Sequence, residues 1–426
     1  MAKLWNKGKD VSKFVEKYLS DIQADQHLVP YECKASSAHA KMLHKIGVLT
    51  KDELSNILKV LKEIEGLDSQ NQFVLQPSDE DVHTKVENYL IDKLGETGKK
   101  IHTYRSRNDQ LLVNQLLYNK DKLKETKLQL ISLAKTLLSF AKKYEKVPMP
   151  GYTHLQKAML SSVGLWASSF VEALLDNLKV LENAYELNDQ CPLGSGASYG
   201  IPEKIDREFV AKELGFSKVQ NNVLYCQNSR TQFASITVNA LAQIMVVLSR
   251  ICQDIIIFST SEFGYLSLSD EVSTGSSIMP QKRNADIAEL VKGKASVVIA
   301  QDFLIKNVSV GLHSGYVKES QVVKEATLQA FDITLASLEV MVEQIKGLIV
   351  NEKKCIDSCT PELFAADEAY ELVKKGVPFR DAYKKVGQNL DKLKERDPIK
   401  ELEKRLKNKS FYLKSLSQVE KELNVL

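Results

Sequence analysis

Between Gly98 and Pro148 the chain has no glycine or proline, and Leu116, Leu123, Leu130, Leu137 and Tyr144 recur there every seven residues. A second apolar row, Leu112, Leu133 and Phe140, stands four residues ahead of the first, with polar Asn119 and Thr126 in the heptads between. Two rows offset in this way form the seam of a helix in a bundle. They predict a rod of about 45 residues, roughly 65 Å at 1.5 Å per residue. Residues 216–263 and 316–346 are further runs without either breaker, and Gly164 alone interrupts 152–191. Residues 104–350 therefore read as a bundle of very long helices.

The flanks differ. Residues 52–64 have helical apolar spacing, with Thr50 placed to cap and Glu53 three residues on. Gly66, Pro77, Gly95 and Gly98 then break the first hundred residues into short pieces. After Gly347, Pro361, Pro378 and Pro398 divide a segment dense in Lys and Glu. The expected fold class is all-α, in three mainly helical domains: 1–103, a central bundle 104–350, and a small C-terminal domain 351–426. A rod with apolar seams on more than one face does not close a core by itself, so a homo-oligomer is expected.

Composition narrows the function classes. With 43% apolar and 27% charged residues in 426, the chain is an ordinary globular one, neither disordered nor collagen-like. Lys+Arg 58 against Asp+Glu 55, a net +3, marks neither a nucleic-acid nor an anionic-membrane partner. The cysteines, 33, 191, 226, 252, 355 and 359, have no C-x-x-C spacing, so no metal site and no disulfide are expected. The N-terminus shows no apolar signal region after its basic residues, and a cytoplasmic location is expected. Residues 231–249 carry no charge, yet Thr231, Gln232, Ser235, Thr237, Asn239 and Gln243 would be costly in lipid. The stretch reads as a buried core helix.

Four segments carry more polarity than packing requires. The first joins Asp79–His83 with His102–Gln110, where Arg, Ser, Asn and Asp crowd the start of the long helix. It reads either as a solvated, capped helix start or as a carboxylate-recognition site. The second, Pro150–Gln156, places His154 at a corner, where an imidazole suits acid–base work at neutral pH. The third, Pro192–Ala197, is small enough to present backbone amides to an anion, or is a tight connection. The fourth, Ser273–Asn284, puts a Gly-Ser-Ser turn beside Lys282, able to stabilise negative charge, or is simply a flexible loop.

These segments resemble the aspartase/fumarase superfamily and, within it, the argininosuccinate lyases. Gly275–Asn284 is similar to the superfamily's signature loop in its M-P-Q-K-[KR]-N form. His102–Gln110 resembles H-T-G-R-S-R-N-D-Q, Gly151–Gln156 matches G-Y-T-H-L-Q, and Glu80–His83 resembles E-D-I-H. Cys191–Phe216 resembles S-P-L-G-S-G-A…I-D-R-E-F…L-G-F, and the Trp5 region is a looser form of L-W-G. Tyr104 replaces the Gly of H-T-G-R, Ala285 stands where Pro follows Asn284, and His313 also stands where Pro is common. The segment Asn222–Thr231 keeps Asn222, Leu224 and Arg230 of N-S-L-D-A-V-S-D-R-D and has Tyr225, Ser229 and Thr231 in place of its Asp residues.

The resemblance implies a homotetramer around a central helical bundle, with each active site shared between subunits. It implies reversible elimination of argininosuccinate to arginine and fumarate, without metal or organic cofactor. By the same resemblance Ser276 and His154 are the acid–base pair, with Lys282 beside them in the loop 273–286. Ser36, Arg107, Asn108, Thr153, Asn284, Tyr316, Gln321 and Lys324 would bind substrate. Two alternatives stand beside it: a non-catalytic crystallin-like relative, and a lyase for another succinyl adduct such as adenylosuccinate.

Overall fold

A computed structural model describes residues 12–19, 22–76 and 78–425; Trp5 and Pro77 lie outside them. Helices account for most of these residues, with three two-stranded sheets added. Helix α1 is Val29–Lys45, with Pro30 in its first turn. Helix α2 is Lys51–Ser69, and its start is the expected capping box. Thr50 Oγ1 accepts from the Glu53 amide at 3.2 Å, and Glu53 Oε2 accepts from the Thr50 amide at 2.9 Å. Helix α3, Val82–Leu94, is capped by Asp81, which accepts from the Thr84 amide at 2.7 Å.

Helix α4, Arg107–Lys143, has 37 residues and is therefore roughly 55 Å long, shorter than the heptads predict. Just ahead of its start, Tyr104 has φ 63°, a left-handed conformation that ends any helix. A bulky residue pays in strain there, and the Gly of the resembling H-T-G-R motif would not. The heptad rows hold: Leu112, Leu116, Leu123, Leu130, Leu133, Leu137 and the polar Asn119 and Thr126 are all buried. The seam is thus filled by the chain's own helices.

Between α4 and α5, Val163–Asn188, the expected helical corner is instead a hairpin of β1, Pro148–Thr153, and β2, Gln156–Ser162. The strands pair antiparallel with a register shift at Gly151. A Cβ at Gly151 would come within 3.1 Å of the Met159 carbonyl oxygen, a tight contact that a glycine in the bulge avoids. The run 216–263 is likewise not one helix. Lys218–Val219 pairs in parallel with Gln190–Cys191, a short helix Val223–Asn228 follows, and only then comes α6, Arg230–Phe258. Helix α6 is long and apolar enough to cross a membrane. Val238, Leu241, Ile244, Met245, Leu248, Ile251 and Ile255 are nevertheless fully buried in it, the pattern of a core helix. Helices α7, Asp286–Ser309, and α8, Val322–Lys346, complete the long set.

The described residues fold as two compact units, those within Met1–Thr126 with Val180–Leu241 and Val298–Asp332, and those within Lys127–Lys179 with Ala242–Val297 and Ile333–Leu426. In the first unit, Tyr118 meets Tyr31 and Phe331 edge-on at 5.7 and 5.9 Å, over fully buried Leu112 and Phe233. In the second, Trp166 meets Phe170 at 5.9 Å and Phe258 at 5.8 Å, and its indole N–H donates to Asp254 at 2.9 Å. There too Leu363, Phe364 and Leu402 close a small core on Leu160 of β2, so the C-terminal helices brace the hairpin. Each such buried side chain contributes about 1.5–3 kcal/mol.

Candidate active site

In the first unit the polar segments converge on one carboxylate. Glu32 and Ser36 sit four residues apart on one face of α1 and are fully buried. Glu32 Oε1 accepts from Ser36 Oγ at 2.6 Å and Gln110 Nε2 at 3.1 Å. Its Oε2 takes His83 Nδ1 at 2.6 Å and Asn114 Nδ2 at 2.8 Å. Arg105 Nη1 donates to Ser36 Oγ at 2.9 Å and stands 3.9 Å from Glu32. With its proton committed to Glu32, the Ser36 hydroxyl can offer a ligand only a lone pair. Glu32 and Asn114 are not among the candidates that the sequence offers, and His83 is one to which it assigns no role. The readable signal was the four-residue spacing of Glu32 and Ser36.

These charges are coupled. Burial works against the His83 imidazolium, but the Glu32 carboxylate outweighs it and holds His83 above its ordinary 6.5. Burial likewise opposes the Glu32 carboxylate, and His83 and then Arg105 outweigh it, holding Glu32 well below the ordinary 4.5. The stability that His83 contributes is complete below pH 6.5 and is lost as pH rises through its raised pKa. Glu32's share is complete above 4.5 and is lost as pH falls. The melting temperature is therefore expected to decline on the alkaline side of 6.5, by calorimetry across pH, with that limb flattened in His83→Gln. An alkaline limb identical in both proteins would contradict the pairing.

Other candidates of this unit surround the cluster. Arg107 Nη1 lies 2.8 Å from Glu80 and 3.6 Å from Asp81. Asn108 is half-buried; its amide donates to Ser106 Oγ at 3.2 Å and its carbonyl accepts from Arg230 Nη2 at 2.7 Å. Lys324 Nζ is buried against Asp25, whose other oxygen accepts from the Val82 amide at 3.1 Å. The Tyr316 amide donates to Ser198 Oγ at 3.1 Å, and Gln321 ends a half-buried turn just before α8. The glycine-rich segment does present amides to an anion, but to an internal one. Gly194 and Gly196 donate to Asp109 Oδ2 at 3.0 and 2.8 Å, and burial still raises Asp109 to about 6.

The second unit holds the remaining candidates. Thr153 and Gln156 close the hairpin, leaving His154 and Leu155 as its two-residue tip with φ 53° and 58°. Both positive angles are those of a type I′ turn, which Asn-Gly fills readily and His-Leu fills under strain. His154 and Thr153 are exposed there. Thr274 and Asn284 pair through their backbones (2.9 and 3.3 Å), closing the loop between them. Inside it, the Ser276 hydroxyl accepts from the amides of Ile278 and Met279 at 3.3 and 3.1 Å. Asn284 Nδ2 reaches the Gly275 carbonyl at 3.5 Å, while Lys282 is exposed. Two amides aimed at Oγ, with an ammonium on the same loop, are what an oxygen gaining negative charge requires. Among the described residues no three His, Cys, Asp or Glu side chains gather as a metal site.

Three comparisons bear on this arrangement. The sequence profile of the family described as Lyase matches residues 6–300. The argininosuccinate lyase of Thermotoga neapolitana is 43% identical over 92% of this chain and 99% of its own length. That of Sorangium cellulosum is 39% identical over 95% of this chain and 94% of its own. Among solved structures, an EDDS lyase variant with bound fumarate superposes with a TM-score of 0.76. It covers 93% of this chain and 80% of that one at 22% identity, a likeness of fold.

Proposed function

The chain belongs to the argininosuccinate lyase family, and from that membership we propose that it reversibly eliminates argininosuccinate to arginine and fumarate. It is a lyase of the aspartase/fumarase superfamily. The observation that carries the reading is the pair of amides aimed at the Ser276 hydroxyl in a loop that also bears Lys282.

The chemistry explains the residue types. A proton leaves the carbon beside one succinyl carboxylate, giving a dianionic aci-carboxylate; the C–N bond then breaks and the guanidinium departs with a proton. The C–H is weakly acidic, so stabilising the dianion is the main task. A serine hydroxyl acts as a base only where its alkoxide is stabilised; the Ile278 and Met279 amides point at Ser276 Oγ, and Lys282 is the cation that the same loop offers for that task. Ser276 and His154 form the acid–base pair, one taking the carbon's proton and the other serving the leaving group. Lys282 and Asn284 hold the succinyl carboxylates. Ser36, Arg107, Asn108, Thr153, Tyr316, Gln321 and Lys324 contact the substrate.

His154, Ser276 and Lys282 lie in one unit and Ser36, Asn108 and Tyr316 in the other. The proposed enzyme is a homotetramer in which neighbouring chains complete each site. Support comes from α7, where Leu290, Val297 and Leu304 recur every seven residues and are all exposed. That is a heptad row without a partner inside the chain. A cytoplasmic role in arginine biosynthesis follows from the same reading.

Purified protein is expected to release fumarate from argininosuccinate, read as rising ultraviolet absorbance. No release, with signal from adenylosuccinate instead, would move the substrate assignment to another succinyl adduct.

A further inference from the structure

Arg230 opens α6 and is almost wholly buried. Its Nη2 donates to the Asn108 carbonyl at 2.7 Å and to Gln227 Oε1 at 3.1 Å, and its Cζ stands 5.0 Å from the centre of the Tyr316 ring. Its Nε and Nη1 have no hydrogen-bond partner. Nor does any Asp or Glu among the described residues form an ion pair with it. Asp109, the acid that acts on it electrostatically, spends its oxygens on the amides of Ser106, Gly194 and Gly196. Burial accordingly pulls Arg230 down to about 10, with Tyr316 and Asp109 opposing. In the sequence around it, Tyr225, Ser229 and Thr231 stand where the resembling segment has carboxylates.

A buried guanidinium without a counter-charge is costly. Arg230 also lines a small cavity, with Leu112, Leu116, Phe233, Val323 and Lys324 among its other walls. The cavity is small, about 20 Å³, with room for roughly one water-sized particle. An internal water there would need acceptors as well as donors. The wall carries the unpartnered Nε and Nη1 of Arg230 and the Lys324 ammonium, itself paired with Asp25, beside the side-chain amides of Gln115 and Asn119. The Thr327 hydroxyl, also on the wall, already donates to the Val323 carbonyl at 2.7 Å.

We propose that this cavity is a binding site for a monatomic monovalent anion, a halide such as chloride, held by Arg230 Nε and Nη1. The anion supplies the counter-charge that the sequence lacks. Arg230 touches both Asn108 and Tyr316, so the occupied site also steadies the substrate-binding side of the first unit; this last step rests on the proposed reaction.

The test uses the full chain. In crystals grown from sodium bromide, data at the bromine edge are expected to show an anomalous peak in the cavity beside Arg230. An empty cavity, or one holding water with bromide in excess, would overturn the proposal. In solution at fixed ionic strength, replacing gluconate with chloride is expected to raise the melting temperature saturably by several degrees. The rise should vanish in Arg230→Gln, and an equal rise in both proteins would overturn the assignment. Should that variant not fold, the bromide measurement on the native chain decides alone. Neither readout needs turnover, so the site can stand or fall apart from the reaction. If both hold, KM for argininosuccinate falls roughly threefold with chloride while kcat stays constant.

Discussion

Ser276→Ala lowers kcat by roughly a hundredfold or more while the fold and assembly stay intact, the usual size of an acid–base contribution. The hydroxyl touches only the amides of Ile278 and Met279 within its own exposed loop. Its removal therefore leaves no buried group unmatched, and circular dichroism and size-exclusion profiles should not change. His154→Asn is the companion test, and asparagine is the substitution to use. Residue 154 has φ 53°, and Asn is among the few non-glycine residues that accept that conformation. The hairpin tip then survives while the titratable ring is lost. Fumarate release that drops less than about tenfold in both variants would discard the pair as acid and base.

Glu32→Ala has the largest expected effect on stability, a loss of about 3–5 kcal/mol in urea unfolding, the range for breaking a buried ion pair by removing one partner. The substitution leaves the His83 imidazole and the Arg105 guanidinium buried without their carboxylate. Ser36, Gln110 and Asn114 each lose an acceptor as well. These side chains share one partner, so effects within the cluster are not additive. Adding Glu32→Ala to His83→Gln should cost less than the two single losses summed. A single loss under about 1 kcal/mol would mean that water reaches the site and replaces the carboxylate.

Much of the fold was readable because helix packing repeats along the chain. The seven-residue rows of Leu116 to Leu137 are buried as their spacing requires, and the Thr50–Glu53 capping box forms. The hairpin 148–162 was not readable in the same way. Its alternation is short and mixed, with only Leu160 and Ser162 of β2 buried, and its turn residues, His154 and Leu155, are not those that mark a type I′ turn. The break before α6 was hidden for a related reason: no glycine or proline marks residues 216–263, and the parallel pairing with Gln190–Cys191 that ends the helical run is non-local.

The candidate site divides along the same line. Residue types and order within local motifs determined which chemistry the chain can perform: a hydroxyl on a Gly-Ser-Ser turn beside a lysine, an imidazole, and an Arg-Ser-Arg-Asn helix start. Local motifs suffice for that because reactivity belongs to individual side chains. Tertiary structure alone decided which groups share a proton or a charge. Glu32 meets His83 and Asn114, 51 and 82 positions away, Asp109 spends its charge on glycine amides 85 and 87 positions on, and Arg230 is left without a carboxylate. Coulomb energy and hydrogen bonding fall off over a few ångströms, and chain separation does not encode distances on that scale.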